Sequence, residues 1–169
     1  MAELQRFTTE YIAREDRLRL SGEIGAQSTV VLWLTQRLLK RLIPLLCEWL
    51  ERQSDGAAAG GLRSHAMHSF AQQAAVAALQ PQAPVQAAAG PYGGLVDVVN
   101  LTRGDNGVVL TFQSQEPGAE GIALMLHTQP LRQWLNILHA QYRQAKWPLD
   151  PWPEWLAGAS PDSVCAVVH

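Results

Sequence analysis

Few side chains in this sequence are of types and spacings that do chemistry. His65 and His68 stand three residues apart on a helical stretch, so they share a face and could offer two imidazoles to a metal. A third ligand is missing nearby, since His127 and His139 lie far along the chain, and no metal site is expected. Cys47 sits between Leu46 and Glu48 in a leucine-rich helical pattern, where a thiol behaves as a small hydrophobe rather than a nucleophile. Glu15 and Asp16 are adjacent and followed by Arg17, which fits a turn with its own counter-charge better than an acid and base pair. Walker loops, nucleophile elbows and dinucleotide fingerprints are absent. The expectation is a protein with no catalytic residues, no metal and no cofactor.

The remaining candidates are binding residues. Arg17 and Arg19 alternate with Leu18 and Leu20, so the guanidinium groups stand on the sheet face opposite the two leucines. With Trp33 as a stacking ring they would suit a strand of nucleic acid. Residues 147–155 hold three of the six tryptophans among prolines and end any helix, giving an extended segment that either straps its own domain or enters a partner's groove.

The elements that must position these groups follow from periodicity. Residues 6–13 and 17–20 read as a hairpin, Gly22–Gly25 as a turn, and Thr29–Leu34, apolar on both faces, as a central strand. Thr35 caps a helix over about 36–52 that carries two apolar stripes, one of Leu38, Leu42, Leu45 and Trp49, the other of Leu39, Ile43, Leu46 and Leu50. Pro44 should bend it. Two stripes are more than one sheet can cover, so this helix is expected at a boundary with a second packed body. An Ala-rich helix over 62–80 with sparse anchors Met67, Phe70 and Leu79 follows, and residues 81–94 read as a linker. Then strands at 96–102 and 108–112 flank the hairpin signal Asn106-Gly107, with a third strand at 122–126, Thr128 as cap and a helix over 129–146.

A shift of 92 positions lays Leu39 on Leu131, Ile43 on Leu135, Leu46 on Leu138 and Leu32 on Leu124. The expected fold is therefore α+β, made of tandem βββα units. The first unit spans 1–53, a flexible connector 54–94, the second unit 95–147 and a tail 148–169, all within one compact domain. Such meanders closed by a helix resemble Whirly and Pur-type binders of single-stranded nucleic acid. The run Glu15-Asp16-Arg17-Leu18, the triplet Trp33-Leu34-Thr35 before arginine-bearing residues, and Pro91-Tyr92 also resemble a bacterial family to which no activity is attached. That resemblance implies no functional residues.

At 169 residues, 47% hydrophobic and 17% charged with net charge -2, the chain can bury a core and has no bulk attraction to nucleic acid. The first unit holds eight Lys and Arg against seven Asp and Glu; residues 91–169 hold four against seven. The longest apolar stretch, 38–50, is broken by Lys40, Arg41, Pro44 and Glu48, so no membrane span is expected. Two cysteines make no disulfide framework and fit a reducing cytoplasm. The leading functional expectation is a non-enzymatic cytoplasmic module that binds a protein partner or its own copies through Leu38, Leu42, Leu45, Trp49, Trp152 and Trp155. Single-stranded nucleic acid on Arg17, Arg19 and Trp33 is the alternative.

Overall fold

A computed structural model of the chain describes residues 1–54, 61–88 and 93–157. The Pro91-Tyr92 pair, Cys165 and the end of the tail lie outside the described residues. The order of elements is β1 (Ala2–Ile12), β2 (Arg17–Ile24), β3 (Ser28–Leu34), α1 (Gln36–Ser54), α2 (Leu62–Ala77), β4 (Gly93–Leu95), β5 (Val98–Arg103), β6 (Gly107–Gln113), β7 (Ile122–His127), α3 (Thr128–Ala145) and α4 (Glu154–Ala157). The strands form one seven-stranded mixed sheet in the order β4-β3-β2-β1-β7-β6-β5.

This corrects the expectation of two βββα units. β1 pairs antiparallel with β2 and parallel with β7, so the strands share one sheet instead of closing as two. The helices do not stay with their own strands either: α3 lies against β1 as well as β7, and α1 reaches β5. Periodicity within each segment cannot reveal the exchange, because an apolar stripe specifies burial and not which strand supplies the cover. The 81–94 linker is also revised, since Gly93–Leu95 joins the sheet as β4, parallel to β3.

Alternation places Leu18, Leu20, Leu32, Leu34, Val108, Leu110, Phe112, Ile122, Leu124 and Leu126 on the inner face, all buried in one core with both long helices. The Gly22–Gly25 turn begins later than expected, because Ser21–Ile24 continues the β2 ladder against β3. Gly22 leaves room for the tip of the Leu4 side chain, which would have to move aside for a Cβ there. Thr35 caps α1 as expected, with Oγ1 accepting from Leu38 N at 3.2 Å. The helix runs on through Pro44, which lies on its exposed side. The second cap is different: His127 occupies the N-cap of α3, and Thr128 is already helical.

α2 reverses its expected phase. Met67 and Phe70, the expected anchors, are 53% and 73% exposed, whereas His68, Gln72 and Ala75 face inward. Polar contacts hold this helix to α3. Gln72 Nε2 donates to the Arg132 carbonyl at 2.8 Å, Gln133 Nε2 donates to the Ala75 carbonyl at 2.9 Å, and Arg132 Nη2 lies 3.3 Å from His68 Nδ1. The Arg132 guanidinium stacks over Trp155 at 5.4 Å from the ring centre, which ties α4 into the same joint.

Candidate binding cleft between strands β1 and β7

The placement of the sequence candidates is mixed. Leu42 and Trp49 are buried in the core of this chain, Leu38 is half-buried, and Leu45 is 42% exposed. Trp152 and Trp155 are buried as well, Trp152 against Tyr142 and His139, and Trp155 with its indole N–H donating to Glu51 Oε1 at 2.9 Å. The tryptophan segment therefore straps its own domain, and of these six residues only Leu45 and part of Leu38 are open to a partner. The structure brings Arg19 opposite Trp33 in the β2–β3 register, with Arg17 two residues away on the same face. Arg19 is already engaged: its guanidinium donates to the Ala87 carbonyl.

His65 and His68 do not form a pair. His68 is buried against the Trp155 ring, centroids 5.3 Å apart, while His65 points outward 3.9 Å from Glu154. Among the described residues no group of three His, Cys, Asp or Glu side chains is placed to hold a metal ion. Cys47 is buried and its thiol is pushed up to about 12, first by burial and then by the nearby Glu51 charge, so it stays protonated. Glu15 and Asp16 serve the β1–β2 turn: Asp16 Oδ1 accepts from the Tyr11 hydroxyl at 2.9 Å and from Trp147 Nε1 at 3.0 Å.

The feature the sequence did not disclose is a rift in the sheet. β1 and β7 pair only at Ala2 with Ile122 and Glu3 with Ala123, and a bulge between Leu4 and Arg6 then swings β1 away. From there β1 has a ladder partner on one side only. Tyr11 N donates to Gln141 Oε1 at 2.7 Å, so the peptide groups of Tyr11 point away from β2. Alternation along the strand gives Phe7 and Thr9 the same direction. Their peptide groups face the rift, where among the described residues no strand meets them.

The rift opens as a cleft of about 630 Å³ between β1, α3 and residues 78–84. Phe7 and Trp134 form its aromatic side, edge to face at 6.0 Å, and Trp134 is fixed by donating its indole N–H to Thr9 Oγ1 at 3.1 Å. Gln5, Gln80, Gln82, Gln129 and Gln133 bring side-chain amides to the lining. Among the described residues the one charge there, Arg6, is paired with Glu23 at 2.7 Å. Past the cleft the chain continues onto the outer face of the sheet, where Val85 N donates to Thr8 Oγ1 at 2.8 Å and Ala87 receives Arg19. Residues 78–88 thus cross from the helix layer to the outer face along the rift, carrying no charged residue.

Comparison with protein-family models, curated proteins and solved structures finds no match to this chain. Among the described residues no helix is long and apolar enough to cross a membrane. The cleft must be interpreted from its own chemistry.

Proposed function

We propose that this protein is a non-enzymatic cytoplasmic binding module that takes an extended, uncharged polypeptide segment into the rift between β1 and β7. The observation that carries this reading is the departure of β1 from β7 after Glu3, which turns the Phe7 and Thr9 peptide groups toward a cleft walled by amides and aromatic rings. A strand added there would pair with β1 through its main chain, while glutamine amides meet its polar groups and the half-buried Phe7, backed by the buried Trp134, meets its apolar ones. A charged ligand would find no free counter-charge, since Arg6 is already paired with Glu23. Among the described residues the lining also holds no thiol, imidazole or carboxyl group, which supports binding rather than chemistry.

Nucleic-acid binding on Arg17, Arg19 and Trp33 has less support. Residues 85–87 lie on that face, and Arg19 is spent on Ala87. Phosphate contacts supply most of such affinity, and one of the two arginines is thereby withdrawn.

The test is selection from a displayed library of random ten-residue peptides on the intact protein. Uncharged sequences should be enriched, and methylation of alternate main-chain nitrogens should abolish binding of the selected peptide. Enrichment of charged sequences, or binding that tolerates the methyl groups, would refute strand addition in the rift.

A further inference from the structure

We propose that Asn106 is a site of self-modification in the folded protein: its side-chain amide is attacked by the Gly107 main-chain nitrogen, and the ring so formed opens to aspartate and isoaspartate at position 106. This inference is independent of the rift and lies in the hairpin that joins β5 to β6.

In the structure the two loop residues of that hairpin are Asp105 and Asn106, and Gly107 is the first residue of β6. Two-residue loops close well when both residues take positive φ. Among the described residues other than glycine only Asp16 and Lys146 do so, which leaves Asp105 and Asn106 outside that geometry. The turn is consequently half-closed. Gly104 N donates to the Gly107 carbonyl at 2.8 Å, but the return bond from Gly107 N to the Gly104 carbonyl is not formed among the described residues.

The Gly107 N–H is thereby open to reaction. Residues 104 and 107 face each other across the hairpin, so alternation gives the β7 ladder to Val108 and not to Gly107. The Asn106–Gly107 peptide is held at its other end, where the Asn106 carbonyl accepts from His127 Nδ1 at 3.3 Å. A donor on the carbonyl draws electron density from the peptide and makes its N–H more acidic. Asn106 is exposed, so its side chain has room to turn onto the nitrogen. Glycine is needed after it, because a Cβ at 107 would lie 2.7 Å from the Leu126 carbonyl, and glycine also puts no side chain in the way of ring closure.

The reaction needs only water. The Gly107 nitrogen gives its proton to solvent base and bonds to Cγ of Asn106, while the Cγ–Nδ2 bond breaks and Nδ2 leaves as ammonia. Water then opens the five-membered imide. Addition at Cγ returns the ordinary main chain with aspartate at 106, and addition at the Asn106 main-chain carbonyl routes the chain through Cγ as isoaspartate. Either product places a new carboxylate beside Asp105. The isoaspartyl form also lengthens by one methylene a loop that has only two residues. The other two asparagines are shielded: Asn136 lies inside α3, and Asn100 is followed by the bulky Leu101.

The test is to incubate the intact protein at pH 8, with and without guanidinium, and map the conversion of amide to acid by peptide mass. Conversion should appear at 106 before 100 or 136, and isoaspartyl methyltransferase should label the peptide that carries it. Because the turn is already open, the native rate should lie within about tenfold of the rate in the unfolded chain. Asn106→Gln, whose longer side chain must close a larger and slower ring, should remove the label. A native rate suppressed more than about tenfold, conversion led by Asn100 or Asn136, aspartate formed without isoaspartate, or label that survives Asn106→Gln would overturn the proposal.

Discussion

The indole N–H of Trp134 on α3 donates to the hydroxyl of Thr9 on β1 at 3.1 Å, across 125 positions of sequence and with both residues buried. The bond ties the helix of the second half to the first strand and fixes one wall of the rift. Thr9→Val keeps the shape and removes the acceptor, leaving a buried donor unsatisfied. We expect a loss of about 1–3 kcal/mol in urea unfolding, with Thr9→Ser costing less.

The inverted phase of α2 gives a second prediction. Phe70→Glu should change stability by no more than about 0.5 kcal/mol, as for other exposed positions. Gln72→Ala removes the donor to the buried Arg132 carbonyl and should cost on the order of 1–3 kcal/mol. The reverse ranking would return this helix to the orientation its apolar residues suggest.

That helix also shows where reading the sequence stops. Strands β2, β3, β6 and β7, the Thr35 cap and the two amphipathic helices were legible because each is a local pattern of apolar and polar positions. α2 was not, because its adhesion is polar: His68, Gln72 and Arg132 satisfy one another, and hydrophobic periodicity carries no signal for that. The joining of the strands into one sheet was hidden for another reason. It rests on two residue pairs between β1 and β7, and neither strand differs in composition from one that would close a separate sheet. The cleft follows from that junction, so Gln5, Gln129 and Gln133 could not be singled out, while Arg19 and Trp33 were found as neighbours without the segment that covers them.

Acid should weaken the fold through His139. Its imidazole is held below the ordinary value of 6.5, first by burial and then by the Arg143 charge. The unfolded chain therefore binds a proton that the folded one refuses, and the stability this group contributes falls as pH drops below about 6.5. The urea midpoint should decrease between pH 7.5 and 5.5, and His139→Gln should flatten that decrease. An equal slope in both proteins would assign the pH dependence elsewhere.

Cys47 should be unreactive while the protein is folded. With Cys165→Ser leaving a single thiol, an aromatic disulfide reagent at pH 8 should modify Cys47 only as fast as the chain unfolds. Rapid modification under native conditions would show that the inner side of α1 is open.

The rift itself is tested most directly by residue-resolved amide hydrogen exchange with and without a peptide selected from the random library. Strand addition predicts that bound peptide slows exchange at Phe7 and Thr9 at least about tenfold, with Thr8 and Glu10, already facing β2, little changed. Peptide bound at saturation with Phe7 and Thr9 exchanging at their free rates would contradict the assignment of the rift between β1 and β7 as the binding site.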